Sequence, residues 1–172
     1  MSDVLKFLLI LFSVVVFIVV VVAYLLNIRL YRVFGDSMYP TYTNGKYVPI
    51  LLSNNKEVIE RGDVIVFYVP DDSYKSPYMA RVIGLPGEIV RIKNGKIYVN
   101  NHPLDDLPNV ISAKKENYDI YDWVEKYKIV DLPAHKVIDD GYFVLSDNLP
   151  IKLDSREFED IPEEYIVGKV MY

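Results

Sequence analysis

The sequence predicts a mainly β domain of antiparallel strands carried on one N-terminal transmembrane helix. Three observations carry that expectation. They are an uncharged apolar run over residues 7–28, a series of short β-prone apolar segments separated by turn residues, and the hairpin signal Asn94-Gly95 between two such segments. A chain of 172 residues suffices for one membrane anchor and one compact domain with its own core. The expected division is an anchor over residues 1–30 and a β domain over residues 31–172.

The apolar run holds 22 residues of mostly Leu, Val, Ile and Phe. At a rise of ~1.5 Å per residue it covers the ~30 Å hydrocarbon core of a bilayer. Its many β-branched residues are no obstacle, because in lipid the backbone must satisfy its hydrogen bonds internally and a helix does so. Tyr24 and Tyr31, with Arg29 and Arg32, suit an interface anchor. Val21-Val22-Ala23 offers the small residues at which a signal peptide is cut. The run is longer than such a peptide uses and continues through Leu25 and Leu26, so a retained anchor is expected. Lys6 and the α-amine precede the run with Asp3 opposing them, and Arg29 and Arg32 follow it. The positive-inside count alone therefore favours a cytoplasmic C-terminus.

Composition narrows the function classes. A net charge of −5 gives no basic surface for phosphate backbones, so no nucleic-acid partner is expected. Without cysteine the chain has no disulfide, thiolate nucleophile or cysteine-based metal site. Only His102 and His135 are present, without metal-ligand spacing, so neither a metal nor a cofactor is expected.

Along the chain, residues 46–52 read as a strand closed by Ser53-Asn54-Asn55, and residues 64–69 as a strand buried on both faces and ended by Pro70. Residues 78–83 form the next strand. Gly84-Leu85-Pro86-Gly87 follows as a tight turn with both glycines free to take positive φ. Residues 89–93 and 96–100 make the hairpin, and residues 141–145 and 165–171 are two further strands. His102 falls in a surface turn and His135 in a loop. Residues 104–131 hold no motif, and Trp123 among them is expected to pack in a core.

Gly35-Asp36-Ser37-Met38-Tyr39-Pro40-Thr41 is the stretch with chemical potential. It sets a hydroxyl between a flexible glycine and a proline-stiffened turn, so that Ser37 is presented with its own N–H free to meet a developing oxyanion. Taken alone the same residues also describe an ordinary turn.

The segments that follow change its weight. Ser37-Met38-Tyr39-Pro40-Thr41, Arg61-Gly62-Asp63-Val64-Ile65-Val66-Phe67, Arg81-Val82-Ile83-Gly84-Leu85-Pro86-Gly87-Glu88, Ser146-Asp147-Asn148 and Asp154-Ser155-Arg156 resemble, in order, the sequence boxes of type I signal peptidases. The resemblance runs from about Phe34 to the C-terminus. It implies coiled, partly closed antiparallel sheets and a membrane-bound serine endopeptidase, a hydrolase that cuts signal peptides from exported preproteins after small residues at −3 and −1. It makes Ser37 the nucleophile and backbone oxyanion donor, puts Gly35, Met38 and Pro40 at the substrate cleft, and gives Asp147, Asn148, Asp154 and Arg156 structural roles beside the site. The partners it implies are preprotein signal peptides and the lipid bilayer. It places a single-pass protein in the cell membrane with the catalytic domain on the extracytoplasmic side, against the charge count.

One position departs from the pattern. Bacterial members carry the lysine general base immediately before the Arg-Val-Ile-Gly run, archaeal and endoplasmic-reticulum members carry a histidine there, and this chain has Ala80. Aligning Asp154 and Arg156 with the family places Lys152 where other members have a small hydroxyl residue touching that lysine. Lys152 is thus a candidate substitute base, against the reading of a solvated loop lysine. A lysine serves as a base only where burial depresses its affinity for the proton. Three readings stand open: a peptidase with its base from elsewhere, a binding protein that holds peptides without efficient cleavage, and a chain whose lysine has been replaced. Members associated with pilus assembly also lack the dyad, which under the second reading adds pilus or secretion components as partners. Self-cleaving repressor peptidases share a Gly-Asp-Ser-Met turn, but the apolar helix, the Gly-Leu-Pro-Gly turn and the last two boxes set this chain apart.

Overall fold

In a computed structural model of the protein, which describes residues 3–53, 58–70, 76–94, 96–104 and 131–171, helix α1 spans Asp3–Asn27. Its 25 residues make about 37 Å of helix, long enough to cross a hydrocarbon core. Phe7, Phe12, Phe17 and Leu25 are all exposed, so no face of α1 packs on the domain. Trp123 lies outside the described residues.

Strand β1 (Ile28–Arg32) follows α1 without a linker and pairs antiparallel with β2 (Tyr47–Leu52), Ile28 opposite Leu51 and Arg32 opposite Tyr47. The sheet thus takes in Ile28, Arg29 and Leu30, which the sequence reading placed with the anchor. Tyr31 is half-buried, and its hydroxyl donates to the Pro77 carbonyl at 3.0 Å.

The remaining strands are β3 (Val64–Phe67), β4 (Tyr78–Gly84), β5 (Ile89–Lys93), β6 (Lys96–Val99), β7 (His102–Pro103), β8 (Leu132–Lys136), β9 (Gly141–Leu145), β10 (Ile161–Pro162) and β11 (Ile166–Val170). A short helix α2 (Ser155–Phe158) lies between β9 and β10. A seven-stranded antiparallel sheet runs β1-β2-β11-β3-β4-β9-β10, and a four-stranded one runs β7-β6-β5-β8.

Alternation along β3 and β4 explains their continuous apolar sequences. Ile65, Phe67, Ala80 and Val82 enter one buried cluster with Tyr142, Val144 and Ile161, whereas Val64, Val66 and Met79 enter another with Val33, Met38 and Ile50. A third cluster joins Val90, Ile92, Ile97 and Val99 of the small sheet to Ile83, Phe143 and Leu145 of the large one. The two sheets therefore fold around shared apolar layers.

Three local expectations are corrected. Gly87 has φ +78°, as a turn glycine should, but Gly84 ends β4 and is required for another reason: a Cβ there would lie 2.5 Å from Val90 Cγ2 and 2.8 Å from Val137 Cγ2. His135 is not in a loop. It lies in β8 opposite Val90, and its Nε2 is 2.9 Å from both oxygens of the buried Asp160. Neither Pro133 nor the polar residues after it signal a strand; pairing with β5 imposes it. His102 likewise joins β7, opposite Val99.

Candidate active site

The Ser37 turn is shaped by short-range bonds and located by long-range ones. Gly35, at φ +71°, takes the left-handed conformation that bends the chain into residues 36–42. Within the turn, Tyr39 N–H donates to the Asp36 carbonyl at 3.2 Å and Tyr42 N–H to the Met38 carbonyl at 2.8 Å. Met38 is fully buried beside Val33, Val66 and Met79, which roots the turn in the sheet. Pro40 is half-buried in the same turn.

Asn148 then clamps the turn from the far end of β9. Its backbone N–H donates to the Ser37 carbonyl at 2.8 Å and its side-chain Nδ2 to the Asp36 carbonyl at 2.9 Å. Asn148 Oδ1 is left buried with no partner. Ser37 itself is 8% exposed, and among the described residues neither its hydroxyl nor its N–H has a hydrogen-bond partner. A nucleophile and an oxyanion donor need both groups available.

Asp147, next to the clamp, is held by Arg81. Arg81 Nε and Nη2 donate to the two Asp147 oxygens at 2.7 and 2.6 Å, and its Nη1 donates to the Gly62 carbonyl at 2.7 Å. Thr41 Oγ1 reaches Asp147 Oδ2 at 2.5 Å from the Ser37 turn. Arg81 is 1% exposed, so the bidentate pair is shielded from solvent and joins β4, β9 and the turn. The sequence reading gave no role to Arg81 or Thr41. The available signal was an arginine inside an apolar strand, which demands a buried acceptor.

Asp154 and Arg156 also come together. Arg156 Nε and Nη2 bond the Asp154 oxygens at 2.8 and 2.6 Å, and Asp154, with no exposed surface, also accepts the Ser146 N–H at 2.9 Å. Ser155 Oγ accepts the Val144 N–H at 2.9 Å. The segment thus fixes the end of β9, from which Asp147 and Asn148 project.

Ala80 is fully buried among Ile65, Phe67, Val82 and Val144, on the face of β4 opposite Met79 and Arg81. No proton acceptor stands at that position. The Lys152 side chain is exposed, while the carbonyls on either side are tied down: Ile151 by Arg156 Nη2 at 3.3 Å and Leu153 by Ser146 Oγ at 3.5 Å.

One edge of β4 beside this turn has no strand partner among the described residues. Val82 N–H donates to Asp63 and its carbonyl accepts from Gly62, so the backbone groups of Val82 face β3. By alternation those of Met79 and Arg81 face the other side. There Arg81 pairs with Leu145 of β9, but β9 turns away at Ser146, and among the described residues no strand lies beside Tyr78, Met79 and Ala80. Elsewhere, a depression of about 550 Å³ lined by Ser53, Asp140, Glu163 and Glu164 includes no residue of the Ser37 turn.

Comparison with known proteins identifies the family and its fold. The family described as signal peptidase, peptidase S26, matches residues 4–172. The chain is 35% identical over 148 residues to signal peptidase IB of Staphylococcus aureus, covering 83% of this chain and 75% of that protein. It is also 35% identical over 127 residues to signal peptidase I S of Bacillus subtilis, covering 73% and 65%. The crystal structure of a signal peptidase I from Enterococcus faecalis superposes with a TM-score of 0.53 at 27% identity, over 67% of this chain and 98% of that one. With the family matching nearly its whole length and the sheets resembling those of a solved member, this chain belongs to the type I signal peptidase family, peptidase S26.

Proposed function

We propose that the protein is a membrane-bound serine endopeptidase that cleaves signal peptides from exported preproteins after small residues at −3 and −1, with Ser37 as nucleophile and a base supplied from outside position 80. The observation that carries this reading is the Ser37 turn, clamped by Asn148 with hydroxyl and N–H both available. It packs through Met38 on the Met79 stretch of β4, whose outer side carries no strand among the described residues.

A preprotein segment adds as a strand beside Met79, which aligns its backbone and leaves side-chain selection to the walls of the slot. Ser37 Oγ then attacks the scissile carbonyl, and the Ser37 N–H meets the oxygen as it becomes negative. The hydroxyl proton must pass to a base, and the amine leaving group must be protonated in turn. We assign the base to Lys152, on a backbone held by Arg156 and Ser146. The test is incubation of the purified full-length protein with a preprotein in detergent. The wild type releases the mature product and Ser37→Ala does not; equal release by both sinks the reading.

A second reading, a peptide- or pilin-holding assembly factor without turnover, is favoured by Ala80 among apolar neighbours. Binding of a signal peptide without cleavage by the wild type would establish it.

A further inference from the structure

Tyr31 stands at one end of the slot, and the chemistry above does not use it. Its ring packs on the cluster of Val33, Met38, Val66 and Met79, and its hydroxyl donates to the Pro77 carbonyl at 3.0 Å. Pro77 immediately precedes β4, two residues before Met79, and the alternation of β4 carried on to it would turn its carbonyl away from β3, to the side that holds no strand among the described residues. A proline has no N–H, and this carbonyl is therefore the one backbone group Pro77 can offer an incoming strand. Burial and the neighbouring Tyr68 push the Tyr31 phenol up to about 12, so it remains a donor throughout the neutral range.

We propose that Tyr31 is a specificity-determining residue that closes the peptide slot at Pro77: by occupying the Pro77 carbonyl, its hydroxyl confines an extended peptide to the backbone groups of Met79 and so fixes the peptide's register against Ser37. The inference rests on strand addition beside β4. It assigns to a side chain in the first strand after the membrane helix a contact that would otherwise fall to substrate. A peptide that runs past Met79 meets the Tyr31 hydroxyl instead of a free acceptor and gains nothing from its added length.

The test uses the full-length Ser37→Ala protein in detergent micelles, so that binding is read without cleavage. Fluorescein-labelled extended peptides with small side chains are compared in three forms: a short one, one lengthened at its N-terminal end and one lengthened at its C-terminal end. Ser37→Ala should bind all three alike. Ser37→Ala/Tyr31→Phe, which keeps the ring but frees the carbonyl, should bind one lengthened form about fivefold tighter, the scale of one hydrogen bond. N-methylation of a single added amide should remove that gain. Thermal melting of both proteins checks that the ring still packs. The same ratios of affinity in both proteins, or an equal loss of all three peptides by the phenylalanine variant, would overturn the assignment of Tyr31 alone. Absence of binding by either protein would overturn the slot as well.

Discussion

Asn148 and Asp147 are adjacent, yet each holds the Ser37 turn by a different route. Asn148 grips the turn through the Ser37 and Asp36 carbonyls, and Asp147 braces it through Thr41 while neutralising Arg81. Asp147→Ala removes the carboxylate that balances the buried Arg81 guanidinium, so stability should fall by ~3–5 kcal/mol, read by denaturant unfolding; a loss under ~1 kcal/mol would show the pair to be hydrated. The proton acceptor is the second concern at this scale. If position 80 is where the proton acceptor belongs, Ala80→Lys should raise cleavage by on the order of 10²-fold. Lys152→Met should abolish turnover while leaving peptide binding and the melting temperature unchanged, and an undiminished rate would remove Lys152 from the mechanism. The Ser37 turn and the strand around Ala80 were legible in the sequence because they sit inside short ordered motifs. The work of Arg81 and Thr41 was not, because it depends on Asp147, which lies 66 and 106 positions away.

Among the elements, the turn that ends β4 shows how charge fixes backbone. Glu88 Oε2 accepts the Leu85 N–H at 2.8 Å and its Oε1 accepts from Arg61 Nη2 at 2.7 Å, while Arg61 Nη1 also bonds the Ile83 carbonyl. Partial burial alone would raise the Glu88 carboxyl, but the Arg61 bond and charge, the Leu85 N–H and the Asn100 amide together hold it below the usual glutamate value. A carboxyl depressed in the folded state contributes stability above its unfolded pKa and loses it as pH falls through the folded value. Melting temperature should therefore drop on acidification below about 4.5, and Glu88→Gln should flatten that drop. An identical acid slope in the two proteins would contradict the clamp. Strands β3, β4 and β9 and the β5–β6 hairpin were legible because each carries an apolar run or an Asn-Gly turn of its own. Strands β1 and β8 were not. Ile28-Arg29-Leu30-Tyr31-Arg32 and Leu132-Pro133-Ala134-His135-Lys136 lack such a run, and each becomes a strand through its neighbour, β2 or β5.

At the scale of the whole molecule, α1 enters β1 with no spacer, so the domain is held close to wherever α1 ends. The charges flanking α1 point weakly to a cytoplasmic domain, and a role in export needs the opposite orientation. Protease added to spheroplasts should digest the β domain; full protection would place it inside. The fold class was legible because the uniformly apolar helix and the turn-punctuated strands use different periods and do not compete. The packing of the small sheet on the large one was not, since it depends on contacts such as Val90 and Val137 against Gly84 that have no signal in either segment alone. One measurement bears on the mechanism and the molecule together: mass analysis of the products when the full-length protein, reconstituted in liposomes, meets a preprotein. A single cut after small residues at −3 and −1, absent with Ser37→Ala, is the expected result. An intact preprotein, or the same cut made by Ser37→Ala, would contradict it.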